Sequence, residues 1–173
     1  HFAEVDKHFG SEADYQALAR AMRGRGLRLV QDIVLNHTGN FFDYAAGWDA
    51  RDPAKGFRRM AGGSHGLAPR QYPFNHNNAA DPADRKLGIY HWTPDVVDYQ
   101  IRTQQLTWQM GGLDDLNSEN PLVRRTLRES HAHWINQIGV DAFRVDTAFY
   151  VTPEFLYDFM ESRDPAAPGM SQV

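Results

Sequence analysis

Apolar residues recur at helical spacing in three stretches of the chain and run almost unbroken in two others. Tyr15, Leu18, Ala19 and Met22 mark one helix face. Ser11 precedes them with Asp14 three residues on, a short-armed capping box, and Gly24 and Gly26 end the pattern. Val123, Leu127, Trp134 and Ile138 lie along one face of a longer helix, which Asn120 caps, Pro121 opens and Gly139 closes. Pro153 opens a third helix with Phe155, Leu156 and Phe159. Between these, Leu27–Leu35 is nearly all apolar, which predicts a parallel strand buried on both faces. Val140–Asp146 predicts a second short strand.

Strands that alternate with helices predict βαβ units and a parallel sheet, an α/β class. Side chains on a strand alternate faces, so Val140, Ala142, Arg144 and Asp146 share one side. Asp32 is a charge in an otherwise apolar strand and shares a face with Val34 and Asn36. If the two strands are neighbours, Asp32 and Arg144 form a buried ion pair behind Asp146. A buried charge needs such a partner. Asp146 ends its strand, and in α/β barrels that end is where chemistry is done. An Arg on the same face holds a carboxylate ionised and oriented, as a nucleophile requires. A purely structural Arg–Asp pair is the other reading of this strand. Likewise Asn36, His37 and Thr38 at the end of the first strand are either ligands or turn formers.

From Asn40 to about Gly112 the pattern breaks down. Pro, Gly, Asn, His and aromatic residues dominate, and Asp52-Pro53, Gly62-Gly63 and Asp81-Pro82 mark turns. Such a length exceeds a connecting loop and predicts an inserted subdomain over 40–112, between barrel segments 1–39 and 113–173. Extended pieces are expected around Gln71–Phe74 and Asp95–Tyr99. Trp48, His76, Tyr90, His91, Trp92 and Trp108 either stack on sugar rings or form the small core of this subdomain.

Composition narrows the function. The chain has 173 residues, 42% hydrophobic and 23% charged, with a net charge of −4 and its basic residues scattered, so nothing points to nucleic acid. The absence of cysteine excludes disulfides and thiol chemistry within it. No apolar run approaches the ~18 residues of a membrane span. A chain that opens on His1 is expected to be a section of a longer one, and its compartment stays open.

Taken together, four motifs resemble the α-amylase family of glycoside hydrolases. Asp32-Ile33-Val34-Leu35-Asn36-His37 is similar to the family's first conserved region, and Phe143-Arg144-Val145-Asp146 to the second. Leu113-Asp114-Asp115-Leu116-Asn117 is similar to the motif closing the inserted B domain, with Asp114 where Pro is usual. Val5-Asp6-Lys7-His8-Phe9-Gly10 resembles the loop after the second barrel strand. The resemblance implies part of a (β/α)8 TIM barrel, strands three and four, with an irregular B subdomain between them.

It further implies that Asp146 is the nucleophile, that Arg144 holds it ionised, that Asp32 orients Arg144 and that His37 binds the sugar. Asn36 and Asp115 match positions that often ligate a structural calcium, with no organic cofactor. Two side chains fall short of the ~6–8 oxygens calcium takes, so carbonyls, water and another carboxylate would complete the site. Phe149-Tyr150 stands where the family often has Lys-His, an aromatic platform in place of those contacts. The general acid and a third carboxylate belong to later strands. Glu154 and Glu161 fall in a helical segment instead, and a complete barrel takes about 250 residues. The implied activity is retaining hydrolysis of α-glucans or maltooligosaccharides by a partial catalytic domain. The alternatives are a transglycosylase or isomerase of the family and a non-catalytic carbohydrate-binding or scaffolding homologue. Unpaired strand edges lead us to expect the remaining barrel segments, or self-association, as partners.

Overall fold

A computed structural model describes residues 1–60 and 66–173; the Gly62-Gly63 pair lies outside the described residues. The chain forms two compact bodies: His1–Leu35 with Arg124–Ala148 and Pro153–Val173, and Asn36–Val123 with Phe149–Thr152. The expected insertion, 40–112, falls within the second.

In the first body, helix α1 (Glu12–Arg23) carries the capping box. Ser11 N–H donates to Asp14 Oδ2 at 2.8 Å, and Asp14 N–H to Ser11 Oγ at 3.3 Å. Strand β1 spans Val30–Val34. The long helix α4 covers Pro121–His133 and continues as a π-helical turn over Trp134–Ile138. Asn120 Oδ1 accepts from Leu122 N–H at 2.9 Å, and Gly139 adopts φ +86° to end the run. Strand β4 (Ala142–Asp146) and helix α5 (Pro153–Glu161) follow.

Strands β1 and β4 pair in parallel, with Val30 opposite Ala142, Asp32 opposite Arg144 and Val34 opposite Asp146. Ala19, Leu29, Trp134, Ile138 and Val140 form the core beneath, with Tyr15, Met22 and Phe143 against it. Two expectations need correction. The first strand is shorter than Leu27–Leu35, and it is buried on one face only. Ile33 is 4% exposed but Val30 56%. The helices of this body pack against the side that presents Ile33 and Phe143, so Val30, Asp32, Ala142 and Arg144 stand open on the other. Among the described residues the sheet has two strands and no closed barrel. No described helix is long and apolar enough to cross a membrane.

In the second body, β2 (Phe42–Tyr44) and β3 (Phe57–Arg59) pair antiparallel, followed by two short helices, α2 (Pro82–Leu87) and α3 (Arg102–Thr107). Its core is aromatic. Phe42 is fully buried, with ring centroids of Phe57, Tyr90 and Trp92 at 5.4–5.5 Å and Tyr44 at 6.2 Å. The expected extended piece at Gln71–Phe74 is a turn: Asn75 N–H returns to Gln71 O and His76 N–H to Pro73 O, both at 3.0 Å. Around Asp95 only a single bridge, to Gln109, forms.

Candidate active site

The in-register pairing of β1 and β4 places Asp32 and Arg144 side by side, with Asp146 two residues on along the same face. Arg144 Nη1 donates to Asp32 Oδ2 at 2.7 Å and reaches Asp146 Oδ1 at 2.8 Å. One guanidinium nitrogen thus spans two carboxylates. The hydrogen bond to Asp32, then its charge and that of Asp146, raise the Arg144 pKa. The pair forms as anticipated but is not buried, the side chains of Arg144 and Asp32 being 58% and 60% exposed. The reason is the open sheet face. Just past the strand, Thr147 adopts φ +53°, uncommon for a β-branched residue, and its hydroxyl donates to Asp146 O at 2.7 Å. Asp146 is therefore held at its carboxylate by Arg144 and at its backbone carbonyl by the Thr147 hydroxyl of a strained turn.

Asn36 and His37 belong to the second body. Asn36 Nδ2 donates to Asp115 Oδ1 at 3.0 Å, and His37 Nδ1 lies 2.5 Å from Asn36 Oδ1. The other Asp115 oxygen meets His91 Nδ1 at 2.5 Å, and His91 Nε2 meets Glu119 Oε2 at 2.8 Å. Burial opposes the charged ring of His91, yet hydrogen bonds to Asp115 and Glu119 outweigh it and push its pKa up to about 9. Burial pushes Asp115 up to about 7. Phe149 is 62% exposed, its ring 5.9 Å from that of Tyr150. The Arg102 guanidinium lies 4.4 Å over the Phe149 ring, and Arg102 Nη1 donates to Phe149 O at 2.6 Å.

Residues 1–171 match the family model described as alpha amylase, catalytic domain. The chain belongs to the α-amylase family. It is 26% identical to an α-amylase of Streptomyces lividans over 193 residues, covering 96% of this chain and 20% of that protein. An oligo-1,6-glucosidase of Parageobacillus thermoglucosidasius is 28% identical, over 84% of this chain and 24% of that protein. The crystal structure of an α-amylase from Geobacillus thermoleovorans complexed with acarbose superposes with a TM-score of 0.64 at 24% identity, over 91% of this chain and 27% of that one. This α-amylase-family chain thus spans about a fifth to a quarter of the length of these relatives.

The family resemblance raised a calcium between Asn36 and Asp115, and the arrangement does not fit one. Calcium takes hard oxygens turned inward on a common point. Here Asn36 Oδ1 and both Asp115 oxygens face nitrogen atoms instead, one of them in the ring of His91. Among the described residues no group of three or more His, Asp or Glu side chains is disposed to hold a metal.

Of the aromatic residues raised for stacking or core roles, Tyr90 and Trp92 lie in the core. Tyr90 and Trp92 are buried among Phe42 and Phe57, and Tyr90 Oη donates to Phe74 O at 2.7 Å. Trp48 and Trp108 meet edge to face at 5.3 Å, and His76 pairs with Asp84 at 2.8 Å. Asp114, unusual in its motif, is fully buried, and its carboxylate accepts from Phe41 and Phe42 N–H at 3.0 and 3.4 Å. It anchors the start of β2, and burial pushes its pKa up to about 8. Sequence reasoning missed the polar role of His91, the part of Glu119 and the hold of Arg102 on Phe149. Each depends on residues between 24 and 47 positions apart, which no local pattern signals.

Proposed function

We propose that Asp146 is the nucleophile of a retaining reaction on α-glucosidic bonds, and that the parent activity is hydrolysis of α-glucans or maltooligosaccharides. The observation that carries this reading is the single Arg144 nitrogen bridging Asp32 and Asp146 at 2.7 and 2.8 Å at the end of a parallel strand. An ionised carboxylate held in one orientation can attack an anomeric carbon. The C–O bond to the leaving sugar breaks as the bond to Asp146 forms, and a general acid protonates the departing oxygen. Water then attacks the glycosyl ester, releasing the carboxylate with net retention.

In this reading Arg144 holds Asp146 in place, Asp32 positions Arg144, and His37, Phe149 and Tyr150 are sugar-binding residues. The general acid and third carboxylate come from outside this chain; Glu154 and Glu161 lie on α5, where Glu161 accepts from Ser171. Exposed Val30 and Ala142 beside the ion pair support completion of the sheet by further barrel segments or by a second copy. The test is trapping with a 2-fluoro-α-glucosyl donor on the full-length protein, followed by peptide mapping. Label on Asp146, absent from Asp146→Asn, is the expected result. An unlabelled protein would mark a binding homologue and overturn the reading, and product analysis with a sugar acceptor separates hydrolysis from transfer.

A further inference from the structure

Residues 114–117 are laced on both sides by backbone hydrogen bonds. Thr38 N–H donates to Asp114 O at 3.0 Å and Leu116 N–H to Asn36 O at 2.9 Å. On the other side, His91 N–H donates to Asp115 O at 3.3 Å and Asn117 N–H to Ile89 O at 2.8 Å. Three segments distant in sequence therefore meet at Asp115, which is 3% exposed, beside Asn36 at 2%. An ionised carboxylate at such depth needs a positive partner. Ionised carboxylate oxygens only accept hydrogen bonds, and His91 has a carboxylate on each ring nitrogen, the arrangement that a ring donating from both nitrogens, and so cationic, requires.

We propose that His91 is the built-in cation of this junction, clasping Asp115 and Glu119 and tying 36–38, 89–91 and 114–119 together in place of a bound divalent metal. The ring is covalently part of the chain, so the junction closes without recruiting an ion. Asp115 supplies the buried carboxylate. Glu119, with its side chain half exposed, closes the clasp from the rim. Asn36 completes it by donating to the Asp115 oxygen that the ring does not use.

The test is thermal unfolding of the purified protein in calcium chloride and in chelator, with His91→Gln and His91→Lys beside it. The unfolding midpoint of the unsubstituted protein should be the same in both media. A metal held at about a hundred times its Kd shifts the folding equilibrium about a hundredfold, well within detection. His91→Gln removes the charge and should lower the midpoint, His91→Lys should lower it less, and calcium should restore part of the loss in the Gln variant. A calcium-dependent rise in the unsubstituted protein, or a Gln variant as stable as its parent, would overturn the proposal. If the Gln variant does not fold, the calcium and chelator comparison on the unsubstituted protein still decides.

Discussion

His131 should make the first body lose stability in mild acid, by an amount its surroundings allow to be worked out. It lies on α4 with 2% exposure, and its Nδ1 is 2.7 Å from Leu127 O. The rings of Phe159 and Phe143 stand edge-on at 5.4 and 5.8 Å, and Phe2 lies at 6.1 Å. Burial among them lowers its pKa from 6.5 to about 4, against a smaller upward pull from the Leu127 carbonyl. A folded-state pKa below the unfolded value means that the unfolded chain binds the proton first. The contribution is therefore intact above 6.5 and is lost as pH falls from there toward 4. At pH 5 the unfolded ring is about 97% protonated and the folded ring about 9%, a difference of about 2 kcal/mol relative to pH 8. Asp114, Asp115 and His91, all raised on folding, act in the opposite direction, so the slope of the unsubstituted protein alone is not diagnostic. Urea denaturation at pH 8 and pH 5 should be compared between the protein and His131→Gln. The change from pH 8 to pH 5 should be less favourable to the unsubstituted protein by about 2 kcal/mol. Equal changes in the two proteins would show that the ring charges freely in the fold and would refute the argument.

Two further outcomes follow from packing and exposure. Phe42→Ala removes the hub of the aromatic core and should cost about 3–5 kcal/mol in urea denaturation, the range for a large aromatic deleted from a close-packed site. Asp32→Asn should leave the thermal midpoint nearly unchanged, because the pair is open to solvent, yet slow trapping by the fluoro-glucosyl donor. A large drop in the midpoint without a change in labelling would make the pair structural.

The helices were legible because their signals are local. Ser11 and Asp14 lie three residues apart, Asn120 caps Pro121 directly, and the Val123–Ile138 stripe needs only the 3.6-residue period. The strand pairing was legible too, because two apolar runs joined through an insertion and a long helix leave few topologies. What the residues did not reveal is which face of the sheet is covered. A run such as Leu27–Leu35 is apolar on both sides, and the extent of its cover is set by elements far away in sequence. The second body was legible only as irregular. Its Asp115 cluster joins segments separated by some 24 to 79 positions, and its turn at Gln71–Phe74 depends on backbone bonds around Pro73 rather than on hydrophobic alternation.

The exposure of the Asp32–Arg144 pair changes what that pair is for. A buried pair would have to offset its own desolvation, and its loss would strand a charge in the core. Half in water, it contributes little to folding, since solvent screens the attraction and the side chains give up rotamer freedom to hold one geometry. What remains is orientation. Arg144 reaches both carboxylates through one nitrogen, so the position of Asp32 fixes where the guanidinium lies, and the guanidinium fixes which Asp146 oxygen is engaged. The Thr147 hydroxyl meanwhile holds the backbone carbonyl of Asp146 at the strand end. In the proposed reaction, a substrate closing over the exposed face would lower the local dielectric and strengthen both contacts. The geometry is set in the open sheet, and its electrostatic effect grows only when the site is covered.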